Sequence, residues 1–171
     1  MHGDIDFANP PKCRIGALAI IRNAAGGLLM VQKAYKGGRY GLPGGLARED
    51  ECAHDAVTRE VAQETGLELT PGPLLAIDWV PRNPETGAVM GYNFVYDMGI
   101  FRQTPEITLP TAEPGKPVEL TGYRFVAVED LGDVTSDITQ RRIKEALAAI
   151  GNGHTASLVE GRPAALASWI R

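Results

Sequence analysis

Short apolar runs separated by glycine, proline and charged residues are the main pattern along the chain. Runs of this length, rich in β-branched and aromatic residues, predict strands at residues 15–21, 28–31, 74–80, 92–96 and 123–128. Apolar residues at helical spacing predict two helices, at residues 50–65 and 136–150. Asp50 is the expected N-cap of the first helix, and Gly66 is its expected C-terminal stop.

Turn-forming residues divide these elements. A cluster at residues 23–27 predicts a hairpin between the first two strands. Residues 33–45 contain five glycines and one proline, so they are predicted to lack regular structure. The remaining predictions are loops at 81–91 and 104–117, and a tail with a short strand at 155–159 and a short helix at 164–170.

The order ββαβββα, in which strands do not strictly alternate with helices, predicts an α/β fold with a mixed sheet covered by helices on both faces. A length of 171 residues, with no repeat and no change of composition, predicts a single domain over residues 1–171. Residues 1–12, which end in two prolines, are expected to form an N-terminal arm.

Composition excludes several classes of protein. A chain with 44% hydrophobic residues is too apolar for disorder, and a net charge of −4 argues against nucleic-acid binding. The apolar run at 15–21 is too short to span a membrane, and the N-terminus does not resemble a signal sequence. The two cysteines, Cys13 and Cys52, are expected to be free thiols of a cytoplasmic protein. An apolar strand edge or the C-terminal segment could form a homodimer.

The first predicted helix carries two glutamates inside its apolar stripe. On a helical wheel Glu64 lies about 40° from Glu60, on the side that also carries Ala53 and Val57. A buried carboxylate must be paired, protonated or bound to metal. Two acids one turn apart repel each other unless a hard cation such as Mg²⁺ or Mn²⁺ lies between them. The alternative is that both pair with Arg59 or with an arginine of a strand.

The loop before this helix and the helix itself together resemble the Nudix box. The chain reads Gly45-x5-Glu51-x7-Arg59-Glu60-Val61-x-Gln63-Glu64-x-Gly66-Leu67, whereas the family pattern is G-x5-E-x7-R-E-U-x-E-E-x-G-U. Every fixed position matches except Gln63, where the family has glutamate. The preceding Leu42-Pro43-Gly44-Gly45 is also similar to the usual family lead-in. The resemblance implies a Nudix-like α/β/α sandwich with a loop-helix-loop metal site.

The resemblance also implies roles for individual residues. Glu60 and Glu64 would be metal ligands, and the Gly45 carbonyl would be a further one. Glu51 and Arg59 would support these catalytic residues without touching the metal, because the wheel places Glu51 opposite Glu60. A Gln63 amide can still coordinate through its oxygen, although more weakly, and it cannot act as a base.

Other candidate residues lie outside the box. Lys33 and Arg39 could hold the distal phosphate of a substrate, or they could belong to a solvated loop. Trp79 could stack on a base, or it could simply belong to the core. Glu113 and Glu119 are candidates for the general base, with a solvated loop acid as the alternative for each.

The resemblance predicts a hydrolase that uses Mg²⁺ or Mn²⁺ to cleave the pyrophosphate of a nucleoside diphosphate linked to another group. Its partner would be a small nucleotide. Pro81, fifteen residues after Gly66, favours an ADP-ribose-like substrate by the same resemblance. The alternative is a catalytically weak or inactive Nudix-fold module that senses a nucleotide-type ligand, and Gln63 is the feature that favours it.

Overall fold

The computed structural model describes residues 6, 8–34, 37–111, 115 and 117–164. Within them, nine strands belong to one sheet. Their bounds are β1 Arg14–Asn23, β2 Leu28–Lys33, β3 Tyr40–Gly41, β4 Gly44–Leu46, β5 Leu74–Val80, β6 Gly91–Phe101, β7 Leu120–Val126, β8 Ala156–Val159 and β9 Arg162–Pro163. The helices are α1 Ala53–Thr65, α2 Leu131–Val134 and α3 Asp137–Asn152, with a 3₁₀ turn at Val128–Asp130.

The sheet is mixed, as the element order predicts. Its central strand β1 pairs parallel with β6 and antiparallel with β4, and β5 pairs antiparallel with β6 and parallel with β8. The predicted hairpin joins β1 to β2, which continues into an antiparallel ladder with β3 and β7. Because β4 pairs with β1 and β3 pairs with β2, the glycine-rich residues 40–46 lie against the middle of the sheet.

Helices cover both faces of this sheet and give it the predicted sandwich architecture. On one face, Ala56, Val57 and Val61 of α1 pack with Ala17 and Ala19 of β1 in one apolar cluster. On the other face, α3 packs in a second cluster whose members include Ile20 and Ile143. Because alternate residues of β1 contact opposite layers, the strand is apolar on both faces through its middle, at residues 15–21. None of the helices in the described ranges is long and apolar enough to cross a bilayer.

Most of the predicted elements are confirmed, and their differences have local causes. Helix α1 begins at Ala53 with Cys52 as N-cap, so the prediction of Asp50 as the cap is wrong. Asp50 instead has a left-handed backbone with a φ of 58°, in a turn that directs Glu51 towards the helix. Gly66 does end the helix, with a φ of 72°. The predicted helix at 164–170 lies, apart from residue 164, outside the described residues.

The prediction that residues 33–45 lack regular structure is wrong in part. Gly44–Leu46 pairs with β1 as strand β4, and Tyr40–Gly41 pairs with β2 as strand β3. Glycine permits the first of these pairings, because Gly44 has a φ of 130° and its backbone crosses close to Ala17. Tertiary contact therefore overrides the local preference of a glycine-rich segment for a loop.

Candidate active site

Strand β4 and helix α1 meet where Gly45 faces Glu60. A Cβ atom added to Gly45 would lie 2.5 Å from Cδ of Glu60 and 2.6 and 2.7 Å from its two carboxylate oxygens. Only glycine therefore leaves room for this carboxylate beside the strand. One oxygen of Glu60 accepts a hydrogen bond of 2.6 Å from Nη1 of Arg59. Oε2 of Glu60 accepts no hydrogen bond from the described residues, so it is available to another ligand.

The carboxylate of Glu64 is buried and held from two sides. Its Oε2 accepts the backbone N–H of Gly44 at 2.7 Å, and its Oε1 accepts Nζ of Lys33 at 3.1 Å. The same ammonium donates to the Gly44 carbonyl at 2.8 Å. Burial raises the pKa of Glu64 above its ordinary value, while the charge of Lys33 and the Gly44 N–H partly offset this effect. Lys33 therefore bonds the carboxylate of Glu64 in this structure, although the sequence predicts it to hold phosphate.

Arg59 links Glu51, which precedes the helix, to Glu60 and Gln63 on the helix itself. Its Nε and Nη2 each bond a carboxylate oxygen of Glu51 at 2.7 Å, and Nη1 also lies 3.2 Å from Oε1 of Gln63. These bonds, with the Arg48 N–H, lower the pKa of Glu51 to about 2. In turn, the hydrogen bonds with Glu51 raise the pKa of Arg59. This geometry agrees with a supporting role for Glu51 and Arg59, because the carboxylate of Glu51 is engaged by donors.

The alternation of hydrogen bonds in β4 separates the roles of its two glycines. The backbone N–H of Ala19 donates to the Pro43 carbonyl, and that of Ala47 donates to the Ile15 carbonyl. Because hydrogen-bonded pairs alternate along an antiparallel ladder, the N–H and carbonyl of Gly45 also face β1. The peptide groups of Gly44 point the other way, towards Glu64 and Lys33. The geometry therefore favours Gly44 over Gly45 as the source of a carbonyl ligand. The segment Leu42-Pro43-Gly44-Gly45, which is similar to the family lead-in, was the sequence signal that could have indicated it.

Two adjoining cavities lie at this edge of the sheet. The larger, of about 400 Å³, has Glu60, Gln63, Glu64 and Glu119 among its lining residues, so the structure brings Glu119 to the acidic site. The smaller, of about 180 Å³, is lined in part by Arg39, and Lys33 lines both. We call them the acidic cavity and the inner cavity.

One of the predicted site residues is not brought to these cavities, and another lies outside the described residues. Trp79 of β5 pairs with Tyr92 of β6, and it is not among the described residues that line either cavity. The stacking role predicted for Trp79 thus has no geometric support. Glu113 lies outside the described residues.

Comparisons with known proteins agree with this architecture. The family model described as NUDIX domain matches residues 12–147. The chain belongs to the Nudix family. Comparison of the sequence with curated proteins gives no match.

Solved structures show the same fold at low sequence identity. A MutT protein from Methanosarcina mazei Go1 is 24% identical with a TM-score of 0.64, covering 85% of this chain and 98% of its own. An ADP-ribose pyrophosphatase from Streptococcus suis is 21% identical with a TM-score of 0.61, covering 86% of this chain and 99% of its own. The NUDIX domain of Shewanella oneidensis NrtR, in a structure with ADP ribose, is 15% identical with a TM-score of 0.65, covering 86% and 95%.

Nudix hydrolases generally use divalent metal ions, and the residues of the acidic cavity fit one. Within the described ranges, no group of three or more His, Cys, Asp or Glu side chains is arranged to hold an ion. Mg²⁺, however, is commonly held by one or two carboxylates, with water and substrate phosphate as its other ligands. Oxygen atoms of Glu60, Glu64, Gly44 and Gln63 would supply that kind of site, and Oε2 of Glu60 has no competing hydrogen bond from the described residues.

Proposed function

We propose that this Nudix protein is a metal-dependent hydrolase that cleaves the pyrophosphate of a nucleoside diphosphate linked to another group. The observation that carries the proposal is the placement of Glu60 and Glu64 in one cavity, beside a strand whose Gly45 leaves space for the Glu60 carboxylate. Family membership supports pyrophosphohydrolase chemistry at this position.

The acidic cavity supplies the ligands for Mg²⁺ or Mn²⁺. Glu60 and Glu64 would hold the ion, with the Gly44 carbonyl and the more weakly binding amide oxygen of Gln63 as further ligands. A bound ion neutralises negative charge on the reacting phosphates and lowers the pKa of a bound water. Gln63 stands where the family has glutamate, so the cavity has one negative charge fewer. We therefore propose that it binds fewer metal ions, or binds them more weakly, than it would with glutamate at position 63.

The protein's own side chains position these groups. Arg59 fixes the carboxylate of Glu60, and Glu51 holds the guanidinium of Arg59 through two hydrogen bonds. Lys33 and Arg39 both line the inner cavity, where their positive charges would attract the phosphates of an anionic substrate. With a metal ion on Glu64, Lys33 would be free to exchange its hydrogen bond with Glu64 for one with a substrate phosphate.

Glu119 is our candidate for the base that accepts a proton from the attacking water. It is exposed and lines the acidic cavity, although it lies on the loop before β7 and far from the box in sequence. A carboxylate at the cavity wall can orient or deprotonate a water molecule bound inside. Loss of this group should lower kcat more than it raises KM, because the water, not the substrate, is its partner.

We favour an ADP-ribose-like compound as the substrate whose pyrophosphate is cleaved. Two of the similar structures carry ADP-ribose or its pyrophosphatase in their names, and Pro81 occupies the position noted in the sequence. The binding partner of the chain would be this small nucleotide, and we expect no nucleic-acid or membrane partner. Cytoplasmic location and a homodimer stay predictions.

Gln63 favours a second candidate, a Nudix-fold module that binds a nucleotide without cleaving it. The amide of Gln63 contacts Arg59 and lines the acidic cavity, where glutamate would bind a metal ion more strongly. Such a module would retain ligand affinity while its turnover fell to the background rate.

The two candidates are separated by one assay. The protein is incubated with Mg²⁺ or Mn²⁺ and a panel of ADP-ribose, NADH, dinucleoside polyphosphates and nucleoside triphosphates, and product is measured. We expect turnover that Glu60→Gln and Glu64→Gln each reduce by about 10²-fold or more. The matched control is Glu68→Gln, which changes an exposed acid that lines neither cavity. Binding without turnover of any compound would contradict the hydrolase and support the binding module.

A further inference from the structure

A row of apolar side chains crosses the sheet on the face that α3 does not cover. Its members are neighbours in register on four adjacent strands, namely Ile15 of β1, Tyr92 of β6, Trp79 of β5 and Val159 of β8. Ile15, Tyr92 and Val159 are 38%, 41% and 40% exposed, and Trp79 is partly buried. None of the four is among the described members of the two apolar clusters. We call these four residues the apolar row.

The neighbours of the apolar row along each strand show which face carries it. Asp78, next to Trp79, bonds Arg142 of α3, and Leu158, next to Val159, packs in the α3 cluster. Because successive side chains of a strand point to opposite faces, Trp79 and Val159 point away from α3. The helix on their own face, α1, packs mainly against β1 and β4. The part of the row on β6, β5 and β8 is therefore left partly open to solvent.

The chain leaves the described residues at the edge of the sheet beside this row. Val159 pairs with Arg162 of β9, and two residues later the N–H of Ala164 donates to the Ser157 carbonyl at 2.8 Å. Residues 165–171 follow directly, with the sequence Ala-Leu-Ala-Ser-Trp-Ile-Arg. Apart from one serine and one arginine this segment is apolar, so its composition matches that of the row.

The spacing within residues 165–171 also suits a flat apolar surface. In the short helix that the sequence predicts here, Leu166, Trp169 and Ile170 are three and four residues apart and share one side. Trp79 lies two strand spacings from β9, which is about 10 Å. Seven residues span about 10 Å as a helix and up to about 23–25 Å when extended. The segment is therefore long enough in either form to reach Trp79.

Covalent attachment favours this segment over any apolar segment of another molecule. A group joined to its site by a short connection has an effective concentration in the millimolar range, whereas another molecule competes only at its own concentration in solution. An apolar surface of this kind favours association between molecules when it is uncovered. A segment that covers it from the same chain removes that tendency.

We infer that residues 165–171 dock on the apolar row of their own chain, with Trp169 against Trp79 and Tyr92. The docked segment covers the open part of the sheet face as α1 covers the part over β1. It also keeps the apolar row from binding a second copy of the chain. The inference does not depend on the proposed function, because the row lines neither the acidic nor the inner cavity.

The two tryptophans of the chain allow docking to be measured by fluorescence. Trp79→Phe keeps the row apolar and leaves Trp169 as the sole tryptophan. Its emission should lie at a shorter wavelength than in the same variant unfolded in urea. A docked segment hides Trp169 from acrylamide most of the time, so the quenching constant should fall to about half or less of the value in the unfolded chain. Emission and quenching equal to those of the unfolded chain would overturn the inference.

The unaltered protein provides the same test without a substitution, so the result does not depend on whether a variant folds. Trp79 and Trp169 should both be shielded from acrylamide. A fraction of the emission that is quenched as in the urea-unfolded chain would refute docking.

A charge placed in the row should release the segment. In the Trp79→Phe background, Tyr92→Asp puts a carboxylate where Trp169 docks, so the quenching constant should rise to the value in the unfolded chain. The matched control is Tyr123→Asp, because Tyr123 is also 41% exposed but lies on β7, which pairs with β2 away from the row. The control should leave Trp169 shielded. If both variants release Trp169, or neither does, the row is not the docking site.

Separation by size distinguishes docking within one chain from docking on a second copy. Monomers isolated by size-exclusion chromatography should show the full shielding of Trp169, and their quenching constant should stay the same over a roughly hundredfold range of protein concentration. Shielding that is confined to dimers, or that grows with concentration, would overturn the inference, because a second copy would then supply the segment.

Discussion

Gly45→Ala should lower activity strongly while leaving the fold almost intact. The added Cβ would lie 2.5 Å from Cδ of Glu60, so this carboxylate must retreat by roughly 1 Å to reach ordinary contact near 3.5 Å. The hydrogen bond of 2.6 Å from Arg59 would then lengthen beyond useful range. A catalytic group misplaced by about 1 Å can cost about 10²-fold in rate, which corresponds to about 2.7 kcal/mol of transition-state stabilisation.

The expected loss of stability is much smaller. The side chains of Arg59 and Glu60 are each 18% exposed, so solvent already screens their ion pair. Pairs screened in this way contribute about 0.2–1 kcal/mol, and Glu60 is a flexible side chain that can move aside. For a chain of this size about 1 kcal/mol lowers Tm by roughly 2–4 °C. A large loss of rate with a small loss of Tm is therefore the signature of this substitution.

The assay compares kcat/KM and Tm of Gly45→Ala with those of the unaltered protein, using the substrate and metal found active. The matched control is Gly151→Ala, because an added Cβ there has nothing within 4 Å and lines neither cavity. It should keep full activity and gain slightly in stability, since glycine is unfavourable inside a helix. If Gly45→Ala retains kcat/KM within threefold, the placement of Glu60 beside this strand is refuted.

Three further predictions concern the charges around the same carboxylates. Lys33→Met should lower Tm in EDTA, because it leaves Glu64 buried without its counter-ion. Added Mg²⁺ should then raise the Tm of this variant more than that of the unaltered protein. An equal rise in both proteins would contradict the proposal that a metal ion replaces Lys33 beside Glu64. Glu51→Gln should lower Tm at pH 7. Because Arg59 depresses the folded pKa of Glu51 to about 2, its contribution is full above the unfolded value of 4.5 and is lost as pH falls towards 2, so the Tm difference should shrink only below pH 4.5. Gln63→Glu should tighten Mn²⁺ binding measured calorimetrically by about tenfold or more, and unchanged affinity would show that residue 63 is no ligand.

The periodicity of the chain was enough to predict the longer strands and the two long helices. Strand β5 was predicted at its observed bounds, and α3 was predicted within two residues of its end, because each buries a continuous or periodic apolar set. Helix α1 was predicted to begin at residue 50 but begins at Ala53. Asp50 is a residue type that favours the N-cap, but its backbone adopts the left-handed conformation instead. Local preference and local spacing suffice where packing agrees with them.

The glycine-rich segment shows where local information fails. Nothing near Gly44 and Gly45 in sequence predicts a strand, because that pairing depends on β1, more than twenty residues earlier. The register of this pairing decides that the peptide groups of Gly44 face the cavity while those of Gly45 face β1. The resemblance implies Gly45 as the carbonyl ligand, whereas this register favours Gly44.

The sequence by itself determined that a loop and a helix carry Glu51, Arg59, Glu60 and Glu64 at the spacing of a Nudix box, because that spacing is read within a few helical turns. Only the tertiary structure decided the partners of these and other charges. Lys33 meets Glu64 across 31 positions, and Arg142 meets Asp78 across 64. Charges so far apart along the chain come together only when the sheet and both helix layers have packed, and the cost of burying them alone makes each pairing specific.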